Sequence, residues 1–189
     1  MNYRNVLLLP GWYNSGAAHW QSLWETQHSY VRVQQHDWER PLRGDWQIQL
    51  EETILACDTD RTGPVVLVAH SLGCILVAAW AAHSRNTHRV QGALLVAPGD
   101  AEREELRVQL PSWSPIVRER LPFPSILLGS RDDPYCGFAR AQGLAADWGA
   151  RFIDYGERGH INADSGLGDW PEGLALLEKL RDRGAAGAG

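Results

Sequence analysis

At 189 residues the chain fits one domain, with enough length to bury a core without help from disulfides or a metal. Its 44% apolar and 22% charged residues exclude a disordered chain, and a formal charge of -5 with no basic stripe argues against a nucleic-acid binder. No apolar run approaches the roughly 18 residues of a membrane span, and the opening MNYRNVLLLPGW is too short and too soon interrupted for a signal peptide.

In chain order, short apolar runs alternate with helical patterns. Asn5–Leu9 reads as a first buried strand, followed by a helix over Ala17–Thr26 and a strand over Tyr30–Gln34. A helix over Gln47–Ala56 leads to Val65–Ala69, whose Val-Val-Leu-Val run suits a parallel strand buried on both faces. Then come a helix over Leu72–His83, a strand over Gly92–Val96, a helix over Ala101–Leu110 and a strand over Ser125–Leu128. The last elements are a helix over Phe138–Trp148, a strand over Ala150–Asp154 and a helix over Pro171–Arg183. Residues 184–189 are glycine and alanine and read as a disordered tail behind a domain of residues 1–183. The alternation predicts an α/β fold: a doubly wound, mostly parallel sheet of about six strands with helices on both faces.

In such sheets ligands bind beyond the carboxyl ends of the strands. Most of the Gly-rich and polar chemistry falls in the six segments that follow the predicted strands: 10–16, 36–40, 70–73, 97–100, 129–135 and 155–162. These loops are expected to converge.

Residues 67–75 read Leu-Val-Ala-His-Ser-Leu-Gly-Cys-Ile, a strand running directly into Ser71 and then a helix. This is the context of a nucleophile elbow, usually G-x-S-x-G, in which crowded backbones require small residues two before and two after the serine. Here those residues are Ala69, a departure from glycine, and Gly73. The helix start behind Ser71 offers free N–H groups and the positive end of a dipole. The plainer reading is a serine that caps a helix. His70 is adjacent, but neighbours on a strand point to opposite faces, so it is expected to face away from the serine and to be structural.

A nucleophilic serine needs a base, and the base needs an orienting carboxylate. Ser130-Arg-Asp-Asp-Pro134 follows the fifth strand and Gly156-Glu-Arg-Gly-His160 follows the sixth, which supplies the order Ser, Asp, His. Asp133, extended by the proline behind it, is the expected orienter. Asp132 is the runner-up and is more suited to binding loop amides. His160, after Gly159, is the expected base. His19, His28, His36, His83 and His88 lack such partners and read as structural or surface residues. The N–H groups of Trp12, behind Gly11, and of Leu72 are the expected oxyanion donors. Of nine tryptophans, Trp12, Trp38, Trp113 and Trp170 lie in or near the expected rim, where Trp38, Trp113 and Trp170 are candidates to bind an apolar substrate group; packing is the competing reading. Trp20, Trp24, Trp80 and Trp148 sit on helical patterns and are assigned to packing.

Cys57, Cys74 and Cys136 form no CxxC pair, and reduced thiols in a cytoplasmic protein are the simplest account. Neither a cofactor nor a metal is expected: Ala17-Ala18 stand where a P-loop needs Lys-Ser/Thr, and GxGxxG and HExxH are absent.

Leu-Pro-Gly-Trp-x-Asn-Ser-Gly-x-x-His-Trp at 9–20, Ala-His-Ser-Leu-Gly at 69–73, Ser-x-Asp-Asp-Pro at 130–134 and Gly-His-Ile-Asn-Ala-x-Ser-Gly-x-Gly-x-Trp-Pro-Glu-Gly at 159–173 resemble the small serine hydrolases related to YdeN and retinoblastoma-binding protein nine. The resemblance spans nearly the whole chain. It implies a compact α/β-hydrolase without a large lid, a triad of Ser71, Asp133 and His160, and hydrolysis of carboxylic esters or related acyl bonds of small molecules. The alternative is a protein-binding module that kept the fold without the activity.

Overall fold

The computed structural model describes residues 5–186. Six strands form one sheet: β1 (Val6–Leu9), β2 (Val31–Arg32), β3 (Val65–Ser71), β4 (Val90–Pro98), β5 (Ser125–Gly129) and β6 (Arg151–Asp154). Every pairing is parallel, in the order β2-β1-β3-β4-β5-β6. The helices are α1 (Trp20–His28), α2 (Arg43–Ala56), α3 (Thr59–Thr62), α4 (Leu72–Ala81), α5 (Glu104–Gln109), α6 (Phe138–Trp148) and α7 (Pro171–Ala186). The expected tail falls partly in α7, which runs to Ala186; residues 187–189 lie outside the described residues.

Side chains alternate across the strands and so divide the core into two layers. Leu7, Leu67, Leu95 and Leu127 face one way, toward Trp46 and Leu50 of α2, Ile75 and Trp80 of α4, and Leu144 and Trp148 of α6. Leu8, Val68, Leu94 and Leu128 face the other way, toward Trp20 and Trp24 of α1 and Leu177 and Leu180 of α7. Helices thus cover both faces, which is why the strands read as unbroken apolar runs rather than alternating ones.

Several expected elements come out shorter, among them the helix expected over Ala101–Leu110, which spans only Glu104–Gln109. The strand expected over Tyr30–Gln34 pairs only at Val31 and Arg32, on the sheet edge. The first helix begins at Trp20 rather than Ala17, because His19 holds an extended backbone and its Nδ1 accepts the Gln21 N–H at 3.2 Å, capping the helix. Between β4 and β5 the chain has only the six-residue α5 and a 3-10 turn over Pro111–Trp113, so no large lid covers the carboxyl ends of the strands.

The strand order reverses between β1 and β3, where a cleft opens in a sheet of this type. The loop after β1 and the turn after β3 meet there. A Cβ on Gly73 would come within 2.3 Å of the Leu9 carbonyl oxygen, and one on Gly11 within 2.7 Å of the Ser71 Cβ, so only glycine allows this approach.

Candidate active site

Ser71 ends β3 and caps α4 with φ 56° and ψ -119°, a strained conformation for any residue but glycine. The strand enters from one side and the helix leaves on the other, which lifts the hydroxyl above the sheet edge. Gly73 removes the side chain that would strike the end of β1. Ala69 sits fully buried between Leu9 and Leu95 on the neighbouring strands, so the methyl group that departs from the usual glycine has a place in the core.

His160 Nε2 lies 2.8 Å from Ser71 Oγ, and His160 Nδ1 lies 2.9 and 3.0 Å from the two oxygens of Asp133. An ionised carboxylate can only accept, so Nδ1 carries the imidazole proton and Nε2 is left to accept from the serine hydroxyl. The Asp133 and His160 side chains are only 3% and 8% exposed, which shields the pair from competing water. The Tyr135 N–H donates to Asp133 Oδ1 at 2.8 Å and steadies the carboxylate. Asp132 points elsewhere: it accepts the Ser130 hydroxyl at 2.7 Å and the Gly159 N–H at 2.8 Å. The Gly159 bond ties the loop after β5 to the loop after β6, and both bonds hold the Asp132 carboxyl below the usual carboxylate range, the Ser130 hydroxyl first and the Gly159 amide next.

The Leu72 N–H stands at the first position of α4, where no carbonyl of its own helix can reach it. Among the described residues, the Trp12 N–H has no acceptor within the protein, while the Trp12 indole is anchored to the Glu39 carbonyl at 2.8 Å. Both amides belong to segments that border Ser71, and both residues line a cavity of about 360 Å³ that contains Ser71 and His160.

Trp38, Trp113 and Trp170 do not reach this cavity, contrary to expectation. Trp113 is fully buried against Trp46, with its indole N–H on the Pro41 carbonyl at 2.9 Å. Trp38 lies edge-on to Trp46. Trp170 is fully buried on the opposite layer against Trp20 and Trp24, and donates to the Tyr155 hydroxyl at 2.7 Å. The reason is area: an indole buries far more apolar surface in a closed layer than on an open rim, provided its N–H finds an acceptor. Trp20, Trp24, Trp80 and Trp148 do the same, as expected of packing residues. The Trp-Pro-Glu-Gly run at 170–173 is explained in the same way, since a Cβ on Gly173 would lie 2.4 Å from the Trp170 ring.

The walls of the cavity include residues that the sequence did not single out: Asn14, His19, Leu106, Leu110, Tyr135 and Asn162. Leu106 and Leu110 are four apart, the spacing of one helical face, which was a usable signal; that the face turns toward Ser71 was not legible. His19 is buried, and its Nε2 has no partner. Burial, then Arg32 and His160 nearby, push its pKa down to about 4, so the ring is neutral. His70 is buried beside His160 and lines the same cavity, and burial, with His160 and His19 next to it, holds it well below the ordinary histidine range.

Among the described residues, no cluster of three or more His, Cys, Asp or Glu side chains is arranged to hold a metal ion. The three thiols are free, with Cys74 and Cys136 buried. No described helix is long and apolar enough to cross a membrane.

Residues 6–179 match the model of the family described as "Serine hydrolase". None of the curated proteins matches the chain. Among solved structures, a YdeN-like hydrolase of Pectobacterium atrosepticum is 30% identical, with a TM-score of 0.82 over 95% of this chain and 91% of its own. The ydeN product of Bacillus subtilis is 17% identical, with a TM-score of 0.73 over 95% of this chain and 99% of its own. The carboxylesterase of Bacillus cereus is 19% identical, with a TM-score of 0.60 over 96% and 88%, and shares the fold. With that match over nearly its whole length, the chain belongs to the serine hydrolase family, among its YdeN-like members.

Proposed function

We propose that the chain hydrolyses carboxylic esters, or related acyl bonds, of small molecules, with Ser71 as nucleophile, His160 as general base and Asp133 as the acid that orients it. The observation that carries this reading is the unbroken hydrogen-bonded row from Asp133 through His160 to Ser71, ending at a strained elbow on the floor of a cavity.

Ser71 Oγ attacks the carbonyl carbon as His160 Nε2 takes its proton. Asp133 stabilises the resulting imidazolium and keeps the ring in the tautomer the step needs. The carbonyl oxygen becomes an oxyanion facing the N–H groups of Trp12 and Leu72, each such donor being worth about 3 kcal/mol in the transition state. The ester C–O bond breaks as His160 returns the proton to the leaving oxygen. Water, deprotonated by the same imidazole, then adds to the acyl carbon; the bond from that carbon to Ser71 Oγ breaks as His160 returns the proton to Oγ, and the acid is released.

A fluorophosphonate probe tests the assignment. The expected result is stoichiometric labelling of Ser71, and hydrolysis of p-nitrophenyl butyrate by the wild type that is lost in Ser71→Ala. A folded protein that is labelled elsewhere, or an active Ser71→Ala variant, overturns it.

A further inference from the structure

The two ends of the cavity around Ser71 differ in chemistry. The apolar part of its wall is Leu72, Ala101, Leu106 and Leu110; of these Leu72, Ala101 and Leu110 pack into the core layer of α2 and α4, whereas Ile161, next to His160, packs into the opposite layer. On the His160 side the wall is Tyr135 and Asn162, and here a second cavity of about 380 Å³ begins, sharing Tyr135, His160 and Asn162 with the first. This second space is polar and exposed. Glu157, Arg158 and Asp164 line it, two carboxylates against one guanidinium.

The chemistry of the step decides which half of an ester goes where. His160 Nε2 must hand the proton to the leaving oxygen, so the alcohol has to lie on the imidazole side of Ser71. The acyl group, bonded to Ser71 Oγ in the intermediate, then takes the remaining, apolar end. We propose, resting on the ester-hydrolase reading above, that the site accepts esters of two unlike halves. An apolar acyl chain is held against Leu72, Ala101, Leu106 and Leu110. A hydroxyl-rich alcohol, neutral or cationic, leaves past Tyr135 and Asn162 into the Glu157–Arg158–Asp164 groove. An apolar alcohol gains nothing in a groove whose polar groups it would strip of water. An anionic alcohol meets a net negative wall. Leu106 sets the acyl length because it is half-buried on the short α5, where its side chain can be changed without opening the main core.

Two ester series separate the halves. The first is p-nitrophenyl acetate, butyrate, hexanoate and palmitate; the second is the butyrate esters of glycerol, hexanol and glycolic acid. The glyceryl ester is expected to exceed the hexyl and glycolate esters in kcat/KM by about tenfold. Leu106→Ala should move the acyl optimum to longer chains and Leu106→Trp should move it to acetate, both leaving the alcohol ranking intact. The exposed pair Glu157→Lys and Asp164→Lys should instead raise the glycolate ester and leave the acyl optimum where it was. Ser71-dependent hydrolysis with hexyl or glycolate ester preferred, or with Leu106 variants that re-rank the alcohols, overturns the two-half assignment and leaves the hydrolase reading standing. So does a wild type that labels at Ser71 but turns over none of these esters. Turnover that survives Ser71→Ala overturns the hydrolase reading itself, and this assignment with it.

Discussion

His70 Nε2 donates to the main-chain oxygen of His160 at 2.8 Å, so the residue before the elbow serine grips the backbone of the residue that faces it, 90 positions along the chain. The two rings also pack at 4.8 Å between centroids. The sequence placed His70 on the face away from Ser71 and assigned it to structure. The structure puts it under the loop after β6, where it fixes the height of His160 above the sheet.

Removing this grip should act on the chemical step. His70→Leu is expected to lower kcat by about a hundredfold with KM little changed, the scale of a misplaced catalytic group. His70→Gln, which keeps a donor, should recover part of the loss. Steady-state kinetics on p-nitrophenyl butyrate checks this. A His70→Leu enzyme with wild-type kcat, or a loss carried entirely by KM, would contradict it.

The adjacent aspartates should separate cleanly. Asp133→Asn leaves the loop in place but presents an amide to His160 Nδ1, and kcat should fall by about 10⁴-fold. Asp132→Ala cuts the ties to Ser130 and Gly159. Its effect should fall mainly on loop order and stability, with a loss in kcat closer to tenfold, as expected of indirect misalignment. Equal losses in the two variants would mean that the carboxylates share the role.

The elbow should tolerate the two small positions differently. Gly73→Ala places a methyl group against the Leu9 carbonyl, which is backbone and cannot yield, and should cost about 3 kcal/mol or more in urea unfolding. Ala69→Gly restores the more usual glycine yet removes a buried methyl group from a central strand, so it should destabilise by about 1 kcal/mol rather than stabilise.

Stability should fall in mild acid because His19 is buried as the neutral ring. Its pKa is about 4 in the folded chain against 6.5 when free, so the unfolded chain binds the extra proton between those values. Stability from this residue is full above pH 6.5 and is lost as pH falls toward 4, on the order of 3 kcal/mol in all. His70, also held down by burial, acts in the same direction. The urea midpoint should therefore drop between pH 7 and pH 5, and drop less in His19→Asn, which keeps a side-chain acceptor for the cap. A wild-type midpoint that is flat across this range would refute the account.

The order of strands and helices was legible because it rests on local patterns: unbroken apolar runs for strands covered on both faces, and helical spacing between them. The meeting of Ser71, Asp133 and His160 was legible for a related reason. Each follows a strand of a parallel sheet, and parallel strands deliver their carboxyl ends to one edge. What a tryptophan or histidine does was decided only in three dimensions. The carbonyl that takes the Trp113 N–H is 72 residues away and the one under His70 is 90 residues away, and no local pattern encodes such a partner. The same holds for Leu106 and Leu110: spacing defines their shared face, but only the packing of α5 over the sheet turns that face toward Ser71.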